Sequence, residues 1–115
     1  MKHILSIENI KLGRINDKYQ IDQKTGQLFL TKTYRDFKNL VMLKSVRGQI
    51  KAPYKVIIKI ETYSDIDACI KPIYDGLEKA GVISNDKYIL EEHIYKTPIK
   101  RGRPNKIDVW IETIE

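Results

Sequence analysis

The sequence predicts an α+β fold of two layers, in which a small mixed or antiparallel sheet carries helices on one face. Three observations lead to this fold class. Several segments alternate apolar and polar residues with a period of two, as half-buried strands do. Two other segments repeat apolar residues at helical spacing. The 115 residues contain no internal repeat or linker, so we expect one domain over residues 1–115.

The first 50 residues are predicted to contain two short strands and one helix. We expect a strand over residues 3–10 and a second, shorter strand over residues 28–30. The polar stretch 11–27 between them is expected to be a long loop or a loose hairpin. Thr33 is the expected N-cap of a helix over residues 33–47, because apolar residues follow it at helical spacing.

The second half of the chain contains the clearest patterns. Residues 54–61 alternate strictly and predict a half-buried strand. An apolar stripe from Ile66 to Ala80 then steps by four and three positions, which predicts a helix over the segment from Asp67 to Gly81. Pro72 conflicts with this helix because proline has no backbone N–H to donate. The helix therefore either begins later than Asp67 or is distorted in its first turns.

Two further strands are expected at the end of the chain. Residues 87–97 and 106–114 alternate, and we expect them to be two antiparallel strands joined by a basic loop. The segment from Lys96 to Lys106 holds five cationic residues and no acidic one.

The charge of the chain is unevenly distributed. The net charge is +6, and residues 1–50 carry all of the excess, with 10 Lys and Arg against 4 Asp and Glu. A basic surface attracts polyanions such as nucleic acids, although the same excess can serve solubility. The single cysteine, Cys69, fits a reducing compartment, and no apolar run is long enough to span a membrane. We therefore expect a cytoplasmic protein without membrane contacts.

Three aspartates at the predicted ends of elements are candidates for a metal site. Asp65 and Asp67 follow the strand 54–61, and Asp86 lies in the turn after the helix. Carboxylate oxygens are the ligands that Mg²⁺ prefers. Lys71 and Asp75 follow Asp67 at four-residue steps on the same helix face. Alternatively, an aspartate at a helix start is an N-cap, and the spaced charges form a solvated ladder of ion pairs.

The residues 65–86, DIDACIKPIYDGLEKAGVISND, resemble the signature of the RusA-like Holliday-junction resolvases. That family has an Asp-x-Asp pair, a lysine four residues later, an aspartate four residues further, a Leu…Ala-Gly end and an Asp-Asp turn. The resemblance is good over residues 54–114 and weak over residues 1–50. Two positions depart from the pattern, because Ala68 replaces an asparagine and Asn85 replaces the first acid of the turn.

The resemblance implies an Mg²⁺-dependent endodeoxyribonuclease, with Mn²⁺ as a substitute, that nicks four-way DNA junctions as a homodimer. By position, it implies that Asp65, Asp67 and Asp86 are the catalytic metal ligands and that Lys71 is the essential cation. Asp75 would hold these residues in position without binding the metal itself. The sequence contains no phosphate-binding glycine loop, so we expect no nucleotide cofactor.

Cationic residues are the expected contacts to DNA phosphates, because such contacts position a protein without reading base sequence. The candidates are Lys18, Lys32, Arg35, Lys38, Lys96, Lys100, Arg101 and Arg103. Three other functions stay open at this point. The chain could be a junction-binding module without catalysis, a nuclease for flaps, forks or duplex DNA, or an unrelated interaction domain.

Overall fold

Within the described residues, four strands form one sheet, and two helices supply the second layer. The computed structural model describes residues 1–8, 12, 19–21, 23–26, 28–66 and 69–115. In chain order the elements are β1 (Lys2–Glu8), β2 (Tyr19–Ile21), β3 (Leu28–Leu30), α1 (Lys32–Lys44), β4 (Tyr54–Thr62), α2 (Ile70–Lys79), a 3-10 helix (Asp86–Tyr88), β5 (Ile89–Pro98) and β6 (Lys106–Thr113).

The sheet has the strand order β1-β6-β4-β5 and is mixed. β4 pairs parallel with β5 and antiparallel with β6, and β6 pairs antiparallel with β1. The predicted α+β class is therefore confirmed, with two helices beside a four-stranded mixed sheet. None of the described helices is long and apolar enough to cross a bilayer.

The last two strands run antiparallel and are joined by the basic loop, as predicted, but they are not paired with each other. β4 lies between β5 and β6 in the sheet, so the basic loop connects strands that are not neighbours. The parallel β4–β5 pair needs a crossover connection, and α2 is that connection. β4, α2 and β5 therefore form a βαβ unit, to which β6 adds on the far side of β4.

The predicted short strand at residues 28–30 is confirmed, and it pairs antiparallel with β2 from Tyr19–Leu30 to Ile21–Leu28. β2 and β3 therefore form the loose hairpin that the sequence predicted. The rest of the expected loop lies largely outside the described residues, as does the end of the strand predicted for residues 3–10.

The strict alternation of β4 sorts its side chains into two faces. Its inward residues are fully buried, from Tyr54 through Val56, Ile58 and Ile60 to Thr62. Apolar residues of both helices belong to the same core cluster as this face. Each fully buried aliphatic side chain stabilises the folded state by about 1.5–3 kcal/mol. The face of β4 toward the helices is therefore an important source of stability.

The start of α1 differs from the prediction by two residues. Thr31, rather than Thr33, is the N-cap, and its hydroxyl accepts a hydrogen bond from the Tyr34 amide at 3.4 Å. The helix ends at Lys44, where Ser45 is the C-cap and its hydroxyl donates to the Val41 carbonyl at 2.6 Å. Both ends of α1 are therefore capped by hydroxyl side chains.

α2 begins at Ile70, later than Asp67, and this resolves the conflict at Pro72. Cys69 is the N-cap, so Pro72 is the third residue of the first turn. Amides of the first turn have no partner within their helix, so the missing N–H of proline costs no hydrogen bond. At the other end, Gly81 has a φ of 78°. Its N–H donates to Glu78, while the Val82 N–H donates to Leu77, which is a Schellman cap.

Gly76 lies at the contact between the two helices. A Cβ atom at this position would lie 2.6 Å from Cβ of Val41 and 2.9 Å from the Lys38 carbonyl oxygen. Both contacts are with the other helix, and one is with its backbone. The absence of a side chain at Gly76 therefore sets the distance between α1 and α2.

We expect Gly76→Ala to lower the free energy of unfolding by about 1–3 kcal/mol, because the added methyl overpacks the helix interface. Alanine has a higher helix propensity than glycine by about 1 kcal/mol, so helix propensity alone predicts that the substitution raises the free energy of unfolding. Urea unfolding followed by circular dichroism measures the change. Lys79→Ala, at an exposed position of the same helix, serves as the control. A Gly76→Ala protein at least as stable as wild type would contradict the close approach.

Candidate active site

Lys71 lies in the first turn of α2 and contacts two carboxylates. Its ammonium donates a hydrogen bond to Asp86, which is 15 residues away in the chain. The same nitrogen lies 3.5 Å from Oδ1 of Asp75. The side chains of Asp75 and Asp86 are only 16% and 24% exposed, whereas that of Lys71 is 47% exposed. We call these three residues the ionic cluster.

The ionic cluster keeps Lys71 charged. The hydrogen bond to Asp86 is the largest cause that raises the pKa of Lys71 above its ordinary value. Partial burial acts in the opposite direction, and the charge of Asp75 adds to the increase. Lys71 therefore stays protonated between the two carboxylates.

Side chains on both sides fix the turn that carries Asp86. Oε1 of Glu78 accepts a hydrogen bond from the Asp86 amide at 2.7 Å. The buried Tyr54 hydroxyl accepts one from the Ser84 amide at 3.0 Å. Asn85 is the N-cap of the 3-10 helix and accepts from the Lys87 amide at 2.9 Å. An aspartate at position 85 could cap in the same way, so this departure from the family pattern keeps the turn intact.

Asp75 is held from α1 by a residue that the sequence did not single out for the site. The Tyr34 side chain is fully buried, and its hydroxyl donates to Oδ2 of Asp75, 41 residues along the chain. Asp75 therefore receives donors from both helices, and Tyr34 connects the packing of α1 to the ionic cluster.

A second tyrosine fixes α2 above β5. The Tyr74 hydroxyl donates to Oε2 of Glu92 at 2.5 Å. Burial is the main cause that raises the pKa of Tyr74, and the Glu92 carboxylate adds to it, so the hydroxyl stays protonated and donates. Glu92 pairs with Val56 of β4, near the amino ends of both strands. The ionic cluster therefore lies toward the amino half of β5.

Asp65 lies elsewhere in the βαβ unit. It is exposed and follows the carboxyl end of β4 by three residues, whereas Asp86 precedes the amino end of the parallel strand β5. Asp67 and Ala68 lie outside the described residues. Among the residues that the structure does describe, no group of three or more His, Cys, Asp or Glu side chains could hold a metal ion. The structure therefore brings Lys71, Asp75 and Asp86 together.

The basic loop, residues 99–105, lies at the same end of the sheet as Asp65. The buried Thr62 hydroxyl donates to Oδ1 of Asn105 at 2.7 Å, and the Ile99 amide donates to the Thr62 carbonyl at 3.4 Å. Lys100 and Arg103 line a shallow cavity of about 450 Å³ with Glu61. The end of β4 therefore positions the loop.

The other candidate contacts to DNA are more scattered. Lys96, Lys100, Arg101 and Arg103 are all exposed. On α1, Lys32 lies 3.7 Å from Asp36 in an exposed ion pair, Arg35 is exposed and Lys38 is partly buried. Lys18 lies outside the described residues.

The comparison with known proteins found a partial similarity to a RusA resolvase. No family model matches the chain. The chain is similar to the crossover junction endodeoxyribonuclease RusA of Aquifex aeolicus (strain VF5), with 37% identity over 59 residues. The match covers 51% of this chain and 46% of that protein, so the chain spans about half the length of the relative it matches.

We expect Tyr34→Phe to lower the free energy of unfolding by about 1–3 kcal/mol, because the Asp75 carboxylate loses a buried donor. Guanidinium unfolding of the variant measures the loss. Tyr88→Phe is the matched control, since the Tyr88 side chain is 42% exposed and its hydroxyl can bond to water. Equal stability of the two variants would mean that the Tyr34 hydroxyl contributes nothing to the fold.

Proposed function

We propose that this protein is a divalent-metal-dependent endodeoxyribonuclease that nicks four-way DNA junctions as a homodimer. The observation that carries the proposal is the contact of Lys71 with Asp86, which joins two distant positions of the resolvase-like string. The name of the RusA relative supports the same activity.

The proposed metal ligands are Asp65, Asp67 and Asp86. The donor chemistry fits, because Asp86 and Asp75 already direct carboxylate oxygens at a cation, the Lys71 ammonium. Hard oxygen ligands of this kind are those that Mg²⁺ takes in proteins, with Mn²⁺ as a substitute. When bound, the metal supplies an activated water and neutralises phosphate charge.

Lys71 is proposed to stabilise the negative charge that develops on the phosphate during cleavage. Its ammonium is fixed by Asp75 and Asp86, so little side-chain freedom remains to be lost when DNA arrives. Asp75 is proposed to position Lys71, and Tyr34 in turn holds Asp75.

The basic loop is proposed to bind DNA phosphates near the reacting strand. Lys100, Arg101 and Arg103 are exposed on a loop held at the end of β4 that leads to Asp65. The further proposed contacts are Lys18, Lys32, Arg35, Lys38 and Lys96. A homodimer suits this substrate, because a four-way junction has approximate two-fold symmetry and a two-fold dimer presents two equal sites.

The direct test is nicking of an end-labelled synthetic four-way junction by the purified protein in Mg²⁺. Flap, fork and duplex substrates of the same arm sequence are tested in parallel. Preferential nicking of the junction supports the proposal, and preferential nicking of another substrate reassigns the specificity. Binding without nicking of any substrate leaves a non-catalytic junction-binding module.

We expect Asp86→Asn to abolish nicking while junction binding is retained or tightened, because the variant loses a negative charge beside phosphate. Nicking assays and gel shifts without metal separate the two effects. Asp108→Asn is the matched control because this substitution makes the same change in charge at a distant position. Asp108 contacts His3 on the sheet face away from the helices. Substantial nicking by Asp86→Asn would remove Asp86 from the mechanism.

We expect Lys100→Ala/Arg101→Ala to weaken binding to all DNA sequences alike. Each lost phosphate contact reduces the slope of log affinity against log salt by about 0.9. Fluorescence anisotropy at several salt concentrations gives this slope. Lys51→Ala is the control, because Lys51 is an exposed lysine beyond the amino end of β4. An unchanged slope in the double variant would place DNA binding on another surface.

A further inference from the structure

Tyr63 is the first residue after β4, and 61% of its surface is exposed. Among the residues that the structure describes, neither its ring nor its hydroxyl has a polar or aromatic partner. Tyr88, by contrast, has the Lys87 ammonium 5.0 Å from the centre of its ring. A ligand that covers an exposed ring removes apolar surface from water, which favours binding. The ring of Tyr63 is therefore available to a ligand.

Hydrogen bonds on both sides hold the turn that presents Tyr63. The buried Thr62 hydroxyl accepts from the Ser64 amide at 3.1 Å and donates to Oδ1 of Asn105 at 2.7 Å. The Thr62 carbonyl accepts from the Ile99 amide at 3.4 Å. The backbone before and after Tyr63 is therefore fixed before a ligand arrives, so binding through the ring loses little conformational entropy.

The turn places this ring beside groups that the proposed chemistry uses. Asp65 follows Tyr63 by two residues, so their Cα atoms are at most about 7 Å apart. The basic loop is attached to the same turn through Asn105, and its Lys100 and Arg103 are exposed. Aromatic rings that stack on bases, set among cations that hold the phosphates, are typical of sites for unpaired or unstacked nucleotides. Tyr63 therefore has the surroundings of a base-stacking side chain.

A ring at this position can distinguish branched DNA from continuous duplex. In a duplex, both faces of each base are covered by neighbouring bases, and opening the stack costs free energy. At a branch point the stack is interrupted, so a base there can present one face without that cost. The phosphate contacts of the basic loop do not make this distinction, because phosphates are present on both kinds of DNA. Tyr63 can therefore supply a selectivity that the cations alone do not.

We propose that Tyr63 stacks on the base next to the branch point and thereby selects branched DNA over continuous duplex. This inference rests on the proposed nuclease function, which places the reacting phosphate near Asp65. The stacked base holds its strand in one position, so the phosphate beside the branch point is the one that is brought to Asp65. Tyr63 is in this sense a specificity-determining residue and takes no part in proton transfer.

Binding to a synthetic four-way junction and to a duplex of the same arm sequence tests the contact. In fluorescence anisotropy without metal, Tyr63→Ala should bind the junction roughly 5- to 150-fold more weakly, the effect of losing one stacked base, and should bind the duplex like wild type. Tyr63→Phe should bind both like wild type, because stacking needs the ring and not the hydroxyl. Tyr95→Ala is the control, since it removes a ring that is 53% exposed on β5.

Salt dependence separates stacking from phosphate binding. Tyr63→Ala removes no cation, so the slope of log affinity against log salt should equal that of wild type. Lys100→Ala/Arg101→Ala should instead reduce the slope on junction and duplex alike. A Tyr63→Ala protein that keeps the junction preference of wild type, or that loses affinity for both substrates equally, overturns the inference. A wild type without any junction preference does so as well.

A fluorescent base reports the stacking itself. The fluorescence of 2-aminopurine falls when an aromatic ring stacks on it. With this base at the branch point, the complexes of wild type and Tyr63→Phe should therefore be darker than the complex of Tyr63→Ala. With the base in the middle of an arm, all of these complexes should be equally bright. Equal fluorescence at the branch point would show that Tyr63 does not stack there.

The binding and fluorescence measurements need no cleavage, so the inference and the proposed function can fail separately. If wild type selects the junction through Tyr63 but nicks no substrate, the stacking contact is supported and the nuclease function is lost. If wild type nicks the junction and Tyr63→Ala keeps the same selectivity, the stacking contact is lost and the nuclease function stands.

Discussion

The rest of the structure depends on the pairing of β4 with strands on both of its sides. Its inward residues are buried from Tyr54 to Thr62, so a shift of one residue would turn the whole core face toward solvent. Parallel pairing with β5 requires a crossover helix, and antiparallel pairing with β6 requires the basic loop to pass over the end of β4. The positions of α2, of the turn with Asp86 and of the basic loop all follow from this one strand.

The ion pairs of the ionic cluster contribute little net stability to the fold. Ion pairs in partly buried surroundings lose hydration that their mutual attraction only partly replaces. Here two carboxylates share one ammonium, which leaves a formal surplus of negative charge beside the helix. Tyr34 holds the Asp75 carboxylate, and Glu78 fixes the Asp86 backbone, adding a further acid nearby. Three acids therefore lie close to one ammonium, an arrangement that costs stability and that the proposed nuclease chemistry would use.

Local patterns predicted the elements of this fold, whereas contacts between distant segments could not be read from them. The alternation of residues 54–61 and the apolar stripe before Gly81 mark β4 and α2 because each buries one face. The pairing of β5 is not encoded in its own alternation, since a strand with that pattern can pair with either neighbour. Lys71 and Asp86 were predicted as site residues from a resemblance in spacing. The Tyr34–Asp75 contact joins positions 41 residues apart on two helices, and no periodicity reports such a pair.

The charged side chains of β5 lie on a strand at the edge of the sheet, where they can protect the edge from unwanted pairing. Isolated charges on an edge strand oppose pairing with unrelated strands, because their hydration is lost without compensation. Glu92 and Lys96 have opposite signs and are separated by an even number of residues, so they point to the same face of the sheet. Glu92 also accepts the hydrogen bond of the Tyr74 hydroxyl, so this carboxylate both opposes pairing with unrelated strands and holds α2 against the edge of the sheet.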